Sequence, residues 1–251
     1  MSTTTPYPLL PTPFPSGLLL VDKPAGITSH DVVSRVQRTI CPEKVTRKNR
    51  SQYRVGHAGT LDPFATGLLI VGINKGTKAL TGLVGLDKTY EAVAKLGATS
   101  TTDDLEGEIT DSKPVSAPTV EEIEKAFDRF RGGYLQTSPA FSAKKINGKK
   151  MYELARKGKT EGIELPKKDI RITELRVISY QWPELAFTVS CSSGTYIRSL
   201  ARDIGETLGC GGYLTALRRT RIGSFDVSDA IPLAVLTTKM IEKHLLPIKN
   251  D

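Results

Sequence analysis

Residues 56–67, GHAGTLDPFATG, form the densest cluster of glycine, proline and polar residues in the sequence. Three glycines and one proline within this stretch predict a tightly turned loop with a constrained backbone. The apolar run at 68–73 predicts a strand that anchors the loop. The loop carries one carboxylate, Asp62, which the residues alone assign either to a hydrogen bond that closes the turn or to chemistry. His57 alone is more typical of a hydrogen-bonding loop residue, because no second ligand stands at metal spacing.

Regular elements are predicted on both sides of this loop. Thr28 with Asp31, and Thr119 with Glu122, have the spacing of a capping box at the start of a helix. Alternating or continuous apolar residues predict strands, and apolar residues at helical spacing predict helices. The predicted strands are 18–21, 68–73, 89–96, 185–191 and 214–222, and the predicted helices run from Thr28 to about Cys41, from Thr119 to about Gly132, from Ile197 to Gly209 and over 233–245. Because these elements lack regular βαβ spacing, they predict the α+β class, with a mixed, largely antiparallel sheet flanked by helices.

The composition is typical of a globular protein with a basic surface. The chain has 251 residues and a net charge of +8, from 35 Lys and Arg against 27 Asp and Glu. No apolar run approaches the ~18–20 residues of a membrane-spanning helix. The first basic residue is Lys23, which argues against a signal or transit peptide, so we expect a cytoplasmic protein. Three widely spaced cysteines without a CxxC pair predict free thiols rather than disulfides or a zinc site.

Two kinds of segment lie outside this regular pattern. Five prolines within the first fifteen residues favour an extended, mobile tail, so we divide the chain into a tail at 1–16 and one domain at 17–251. Basic residues cluster at 44–54 and again at 144–159, where Lys144, Lys149 and Lys150 stand with four others against one glutamate. Each cluster is either a solvated face or a surface that contacts phosphates.

Five segments, in the same order along the chain, closely resemble the TruB family of tRNA pseudouridine synthases. They are 20–29 (LVDKPAGITS), 56–67, 87–90 (DKTY), 142–156 (SAKKINGKKMYELAR) and 194–198 (GTYIR). The resemblance implies the pseudouridine synthase catalytic fold and an enzyme that isomerises uridine 55 in the T-loop of tRNA to pseudouridine. A base inside folded RNA must be flipped out before it can react. We expect no cofactor and no metal, since the isomerisation needs neither and the sequence has no Walker or dinucleotide motif.

The resemblance also implies roles for single residues. By this resemblance, Asp62 is the nucleophile or proton acceptor, Arg198 forms the ion pair that stabilises the charge of Asp62, and Tyr90 stacks on the target base. The residues alone give other interpretations: Tyr90 in an alternating strand is typical of core packing, and Arg198 is typical of a helix surface. The substrate-binding positions that the resemblance implies are His57, Lys78, Asp104, Tyr196 and Leu217, with Lys144, Lys149 and Lys150 added from the basic cluster. Among them, His57 is expected to stack in the pocket that receives the flipped base.

Two other functions remain open. One is an RNA-binding or tRNA-folding module whose catalysis is dispensable, and the other is an RNA-guided pseudouridylase of the box H/ACA type. Family members commonly carry a small C-terminal domain of the PUA type, and only residues 227–251 follow Asp226, so we expect that domain to be absent. Its absence would argue against a guide RNA, and the joint presence of Asp62, Tyr90 and Arg198 argues against a purely binding protein. We expect tRNA, engaged through its T-arm, as the partner of a monomer, with no protein partner and no membrane contact.

Overall fold

The structure, a computed structural model, describes residues 14–41, 53–112, 116–139 and 165–248, together with the backbone of 145–146 and 149–150. The predicted proline-rich tail lies outside the described residues up to position 13, and the basic stretch at 44–54 lies outside them up to position 52. Lys144 is also outside them. For Lys149 and Lys150 the description stops at the backbone.

Strands and helices alternate irregularly along the described chain. The strands are β1 (Gly17–Lys23), β2 (Val55–Ala58), β3 (Thr66–Ile73), β4 (Lys88–Leu96), β5 (Ala98–Ser100), β6 (Ile109–Asp111), β7 (Gly132–Thr137), β8 (Lys145–Ile146), β9 (Lys149–Lys150), β10 (Lys167–Gln181), β11 (Glu184–Cys191), β12 (Gly212–Ile222), β13 (Phe225–Asp226) and β14 (Ile231–Pro232). The helices are α1 (Ser29–Ile40), α2 (Leu80–Val84), α3 (Val120–Asp128), α4 (Ile197–Thr207) and α5 (Thr238–His244), with short 3₁₀ turns at Asn74–Lys78, Val227–Asp229 and Leu233–Val235.

One ten-stranded sheet runs through the described part of the chain. Its main order is β14-β1-β3-β12-β4-β11-β10-β7, with β2 paired to β3 and β13 paired to β12. Strand β1 runs parallel to β14, and β3 runs parallel to β12, whereas the other pairs in this sheet are antiparallel. Two small hairpins, β5 with β6 and β8 with β9, stand apart from it. The predicted α+β class and the mixed, largely antiparallel sheet are therefore confirmed.

The two halves of the sheet are covered differently. Residues 67–73 of β3 are all buried, because α1 and α5 cover one face, and α2 together with Leu246 and Ile248 covers the other. Strands β4 and β11 instead alternate between buried and partly exposed residues, because α3 and α4 cover only one face there. The halves meet where β3 pairs with β12 at only two positions, Thr66 with Arg218 and Gly67 with Arg219. The loop that contains Asp62 lies directly before this junction.

Four of the five helices and five of the fourteen strands in the described chain were predicted from local pattern. The capping boxes at Thr28 and Thr119 are both formed, with the two reciprocal hydrogen bonds that define them. The predicted helix at 233–245 is wrong in its first half: a 3₁₀ turn comes first, and α5 begins only after Thr237, whose side chain accepts from the backbone N–H of Met240. Strand β10 was not predicted.

Packing begins inside the segment assigned to the tail, because Phe14 is buried and its carbonyl accepts a 2.6 Å hydrogen bond from Asn74 Nδ2. The division at residue 17 remains a prediction.

Among the described helices, none is both long and apolar enough to cross a membrane.

Candidate functional site

The loop between β2 and β3 places Asp62 at the junction of the two sheet halves. Its backbone is fastened to the start of α1, because Leu61 N donates to Ser29 Oγ (2.9 Å) and Ser29 Oγ donates to Leu61 O (3.1 Å). On the far side of Asp62, Pro63 O accepts from Gly26 N at 2.9 Å. The loop is thus held on both sides of its carboxylate by the segment that follows β1.

Lys23, at the end of β1, binds the same loop through its side chain. Its side chain is fully buried, and Nζ donates to Pro24 O (2.8 Å), Ile27 O (2.7 Å) and Pro63 O (3.1 Å). Burial lowers the pKa of Lys23 to about 8, although the Asp62 carboxylate acts in the opposite direction. No role for this lysine was predicted from the sequence, although it stands directly before Pro24 in the segment 20–29.

Arg219, on β12, supports the loop from the side of the sheet. A role for it was also not predicted from the sequence. Its side chain is 1% exposed, and its guanidinium donates to Leu68 O (2.8 Å) and Gly59 O (3.0 Å). The adjacent strand must approach closely here: Gly67 has φ = 102°, and a Cβ at that position would lie 2.2 Å from Arg219 O. The third glycine of the 56–67 motif is therefore required by the close approach of β3 and β12.

Arg198, in the first turn of α4, forms an ion pair with Asp62. The distance from Arg198 Nε to Asp62 Oδ2 is 3.0 Å. The arginine side chain is 7% exposed, whereas the Asp62 side chain is 36% exposed, so the carboxylate faces open space with its partner behind it. The interpretation of Arg198 as a helix-surface residue is wrong, because α4 presents it to the interior.

Asp104 completes the environment of Arg198. Arg198 Nη1 lies 3.2 Å from Asp104 Oδ2 and donates to Thr102 O at 2.9 Å. Asp104 is itself buried and accepts from Thr102 Oγ1 (2.5 Å) and Glu106 N (2.9 Å). One guanidinium thus bridges a buried carboxylate and a half-exposed one, which orients its fork toward Asp62.

A pocket of about 320 Å³ opens in front of Asp62, toward the lower end of the size range of ligand pockets. Tyr90 from β4 and Leu217 from β12 line it, together with Tyr196 and Arg198 at the start of α4. Burial raises the pKa of Tyr90, with the Arg219 guanidinium opposing the rise, so the phenol is neutral at ordinary pH. Tyr196 is held through its backbone: its N–H donates to Gln136 Oε1 (2.8 Å), and its carbonyl accepts from Gln136 Nε2 (3.0 Å).

The structure brings together some predicted site residues and not others. Asp62, Tyr90, Tyr196, Arg198 and Leu217 all line the pocket, and Asp104 supports it from behind. His57 lies half-buried on β2, where burial lowers its pKa and its buried Nδ1 has no hydrogen-bond partner in the described part of the chain. Lys78 is exposed at the end of a 3₁₀ turn. Neither is among the described residues that line the pocket.

A second, larger cleft of about 800 Å³ adjoins the pocket, and Leu217 lines both. Its walls are mostly apolar, and two of its side chains, Leu105 and Ile178, are exposed large hydrophobic residues. Pro63 and Phe64, which directly follow Asp62, also line it. Within the described ranges, no group of three or more His, Cys, Asp or Glu side chains could hold a metal ion.

Two family models and several curated relatives match the sequence of this chain. The model described as TruB family pseudouridylate synthase (N terminal domain) matches residues 47–197, and the one described as tRNA pseudouridylate synthase B C-terminal domain matches 198–248. The tRNA pseudouridine synthase B of Mycobacterium sp. (strain KMS) is 46% identical over 234 residues, which cover 92% of this chain and 75% of that protein. The protein of the same name from Corynebacterium efficiens is 47% identical over 225 residues, covering 88% of this chain and 72% of that protein.

Solved structures give a more distant likeness. A chain from a Cbf5-Nop10-Gar1 complex matches with a TM-score of 0.67 and 26% identity, over 90% of this chain and 54% of that one. A chain from an H/ACA RNP bound to a substrate RNA containing 2'-deoxyuridine matches with a TM-score of 0.63 and 25% identity, over 90% of this chain and 53% of that one. The chain spans about half the length of these two. From the two family models and the curated relatives, we conclude that the chain belongs to the TruB family of pseudouridylate synthases.

Proposed function

We propose that the protein isomerises uridine 55 in the T-loop of tRNA to pseudouridine, with Asp62 as the catalytic residue. The observation that carries this proposal is the 3.0 Å ion pair between Asp62 and buried Arg198 at the mouth of a nucleoside-sized pocket. A half-exposed carboxylate backed by a guanidinium is available as a charged group to a substrate in front of it. The names of the curated relatives support tRNA as the substrate.

In the proposed reaction atoms are neither gained nor lost. The N1–C1′ bond of the uridine breaks, the uracil turns, and C5 bonds to C1′ while the proton leaves C5 and N1 gains one. Asp62 acts either as the nucleophile toward the substrate or as a proton acceptor beside the sugar. Arg198 pairs with the carboxylate and orients it. Tyr90 and Leu217, which line the same pocket, would hold the uracil between an aromatic and an aliphatic side chain.

The reaction requires the uridine to leave its stack and enter the pocket. Extrusion costs a few kcal/mol, which contacts with the rest of the RNA must offset. The adjoining apolar cleft extends the site beyond one nucleoside and favours a folded RNA loop over a free nucleotide. The net charge of +8 provides long-range attraction for the RNA backbone. We propose that Lys144, Lys149 and Lys150 contact this backbone, and that His57 and Lys78 bind the RNA outside the pocket.

We further propose that the enzyme acts as a cytoplasmic monomer without a cofactor. All three cysteines, Cys41, Cys191 and Cys210, are buried thiols, which is typical of proteins in a reducing compartment.

The test is to incubate purified protein with an unmodified tRNA transcript, without guide RNA and with excess chelator, and to map pseudouridine by position. We expect modification at position 55 alone. Asp62→Asn should abolish it while leaving the Kd for tRNA within about tenfold, or ~1.4 kcal/mol, because the amide is nearly isosteric but cannot carry the charge. Turnover by Asp62→Asn would remove this carboxylate from the chemistry.

Two other functions would give different results in this assay. An RNA-guided pseudouridylase would need an added guide, and the likeness to chains from H/ACA complexes is the reason to include that arm. A binding or folding module would retain its effect on tRNA in Asp62→Asn and would leave the wild-type transcript unmodified.

A further inference from the structure

Helix α4 carries a second arginine, Arg202, one turn after Arg198 and on the same face. Arg202 Nη1 lies 2.8 Å from Asp103 Oδ2, and Nη2 lies 2.8 Å from Asp203 Oδ1. Nη2 also donates to Thr137 O, at the end of β7, at 3.3 Å. Arg202 is not among the described residues that line the pocket. Its contacts are with the chain itself, so direct binding of substrate does not explain them.

The partner of Arg202 is fixed by its own backbone. Asp103 has φ = 61°, in the left-handed region where Asp and Asn are tolerated better than other side chains. Its N–H donates to Ser100 O (3.1 Å), and its carbonyl accepts from Leu214 N on β12 (3.0 Å). The strained turn therefore aims one carboxylate, Asp103, at Arg202 and the next, Asp104, at Arg198.

Two adjacent ion pairs thus dock one turn, residues 102–104, onto one helix face. The pairs are Arg198 with Asp104 at 3.2 Å and Arg202 with Asp103 at 2.8 Å. The end of β7 joins the same cluster, because Tyr134 Oη donates to Asp203 Oδ2 at 3.3 Å and Gln136 Nε2 donates to Tyr134 Oη at 2.7 Å. The start of α4 is therefore held from two sides.

The Arg202–Asp103 pair does not contribute favourably to the stability of the fold at neutral pH. Burial raises the pKa of Asp103 to about 6, and the Asp203 and Asp104 carboxylates act in the same direction. The Arg202 and Arg198 guanidiniums oppose the rise without overcoming it. Ionised Asp103 therefore costs stability at neutral pH, and a buried ion pair of that kind points to a positional role.

We propose that Arg202 and Asp103 are positioning residues: their ion pair fixes the 102–104 turn on α4 and thereby holds Asp104, Arg198 and Asp62 in their reactive arrangement. The proposal rests on the proposed function, in which Asp62 and Arg198 act on the uridine. It adds a second pair of residues that touches neither the substrate nor Asp62. Its effect reaches the reaction through the orientation of Arg198.

The test compares Asp103→Asn, Arg202→Gln and the double variant with wild type, using single-turnover rates at saturating enzyme at pH 7.5. We expect each single variant to be at least tenfold slower and the double variant to be no slower than the slower single one, because both remove the same pair. The Kd for tRNA should stay within twofold. The Tm of Asp103→Asn should equal or exceed that of wild type at pH 7.5. The difference should shrink as pH falls below about 6 and vanish well below pH 3.8, where Asp103 is neutral in both the folded and unfolded states.

Arg131→Gln is the matched control. Arg131 also binds two carboxylates, Glu124 and Asp128, and a backbone carbonyl, that of Leu175, but it does so between α3 and β10. Its loss should lower the Tm and leave the single-turnover rate unchanged. This control separates loss of an arginine network in general from loss of the one beside Arg198.

Either of two results would overturn the proposal. One is a normal saturating rate in both Asp103→Asn and Arg202→Gln, and the other is a slower rate that matches a reduced folded fraction or weakened RNA binding. Wild-type protein is assayed in parallel, so that a failure of the proposed function can be told from a failure of the positioning role. Inactive wild type contradicts the proposed function, whereas active wild type with unaffected variants contradicts the positioning role alone.

Discussion

At the scale of single residues, Arg198 decides whether Asp62 is available for chemistry. Arg198→Ala leaves buried Asp104 without its guanidinium, and loss of one partner of a buried pair typically costs about 3–5 kcal/mol. We expect the single-turnover rate at saturating enzyme to fall at least a hundredfold. Arg198→Lys should recover part of it, because the charge returns without the planar fork. Rates and melting curves of both variants measure these effects.

A phosphate contact would give the opposite result. If Arg198 only binds the RNA backbone, Arg198→Ala should weaken binding in a salt-dependent way and leave the saturating rate unchanged. Arg221→Ala is the matched control, since Arg221 forms an exposed ion pair with Asp226 on the same sheet. It should change neither the rate nor the Kd.

Lys23 makes the stability of the loop depend on pH in a defined direction. Because its pKa falls from 10.5 to about 8 on folding, the folded state binds fewer protons than the unfolded state between these values. Lys23 should therefore contribute a gain of up to about 3 kcal/mol to the free energy of unfolding as pH rises from 8 to 10.5. Lys23→Met should lose this gain. Parallel denaturant titrations of both proteins across that range measure it, and identical slopes with pH would contradict the assignment.

At the scale of elements, the start of β3 depends on Gly67. Gly67→Ala combines an unfavourable φ of 102° with a Cβ placed 2.2 Å from Arg219 O, so β3 and β12 would have to separate. We expect a loss of about 2–4 kcal/mol in the free energy of unfolding. Gly82→Ala in α2 is the control: its Cβ meets no atom within 4 Å, so it should be neutral or stabilising. Equal midpoints of denaturation for the two variants would rule out the close approach.

Elements were predictable where their cause is local. The Thr28 and Thr119 caps are read from residues three positions apart, and the helical stripe that begins at Ile197 is regular, so both gave correct helix starts. Strand β10 carries charged residues on its exposed face, and its pairing with β11 is interrupted at 172–174 and 177–179, so no clear alternation marks it. The helix at 233–245 was predicted too long, because the apolar residues of the 3₁₀ turn at Leu233–Val235 continue the helical spacing of the apolar residues in α5.

At the scale of the whole molecule, the site is assembled from distant parts of the chain. Asp62 and Arg198 were found through the family resemblance, and the sequence alone left both undecided. Lys23, Arg219 and Arg202 were missed, because their partners are mostly main-chain carbonyls or acids far away in sequence, such as Arg219 with Gly59 and Arg202 with Asp103. Such contacts follow from the packing of β1, β3, β12 and α4, which no local spacing encodes.

The charge of the whole molecule makes a last prediction about RNA affinity. Counterion release makes the logarithm of affinity fall linearly with the logarithm of salt concentration, with a slope of about −0.7 to −0.9 per phosphate neutralised. If Lys149 and Lys150 contact phosphates, replacing both by Ala should make this slope shallower by about one per lysine and weaken binding most at low salt. Lys239→Ala with Lys243→Ala, two exposed lysines on α5, is the matched control, and its slope should equal that of wild type. Filter-binding titrations from 50 to ~300 mM salt measure all three. Equal slopes in the three proteins would mean that the lysines at 149 and 150 do not contact the RNA backbone, and the affinity would have to come from other basic residues.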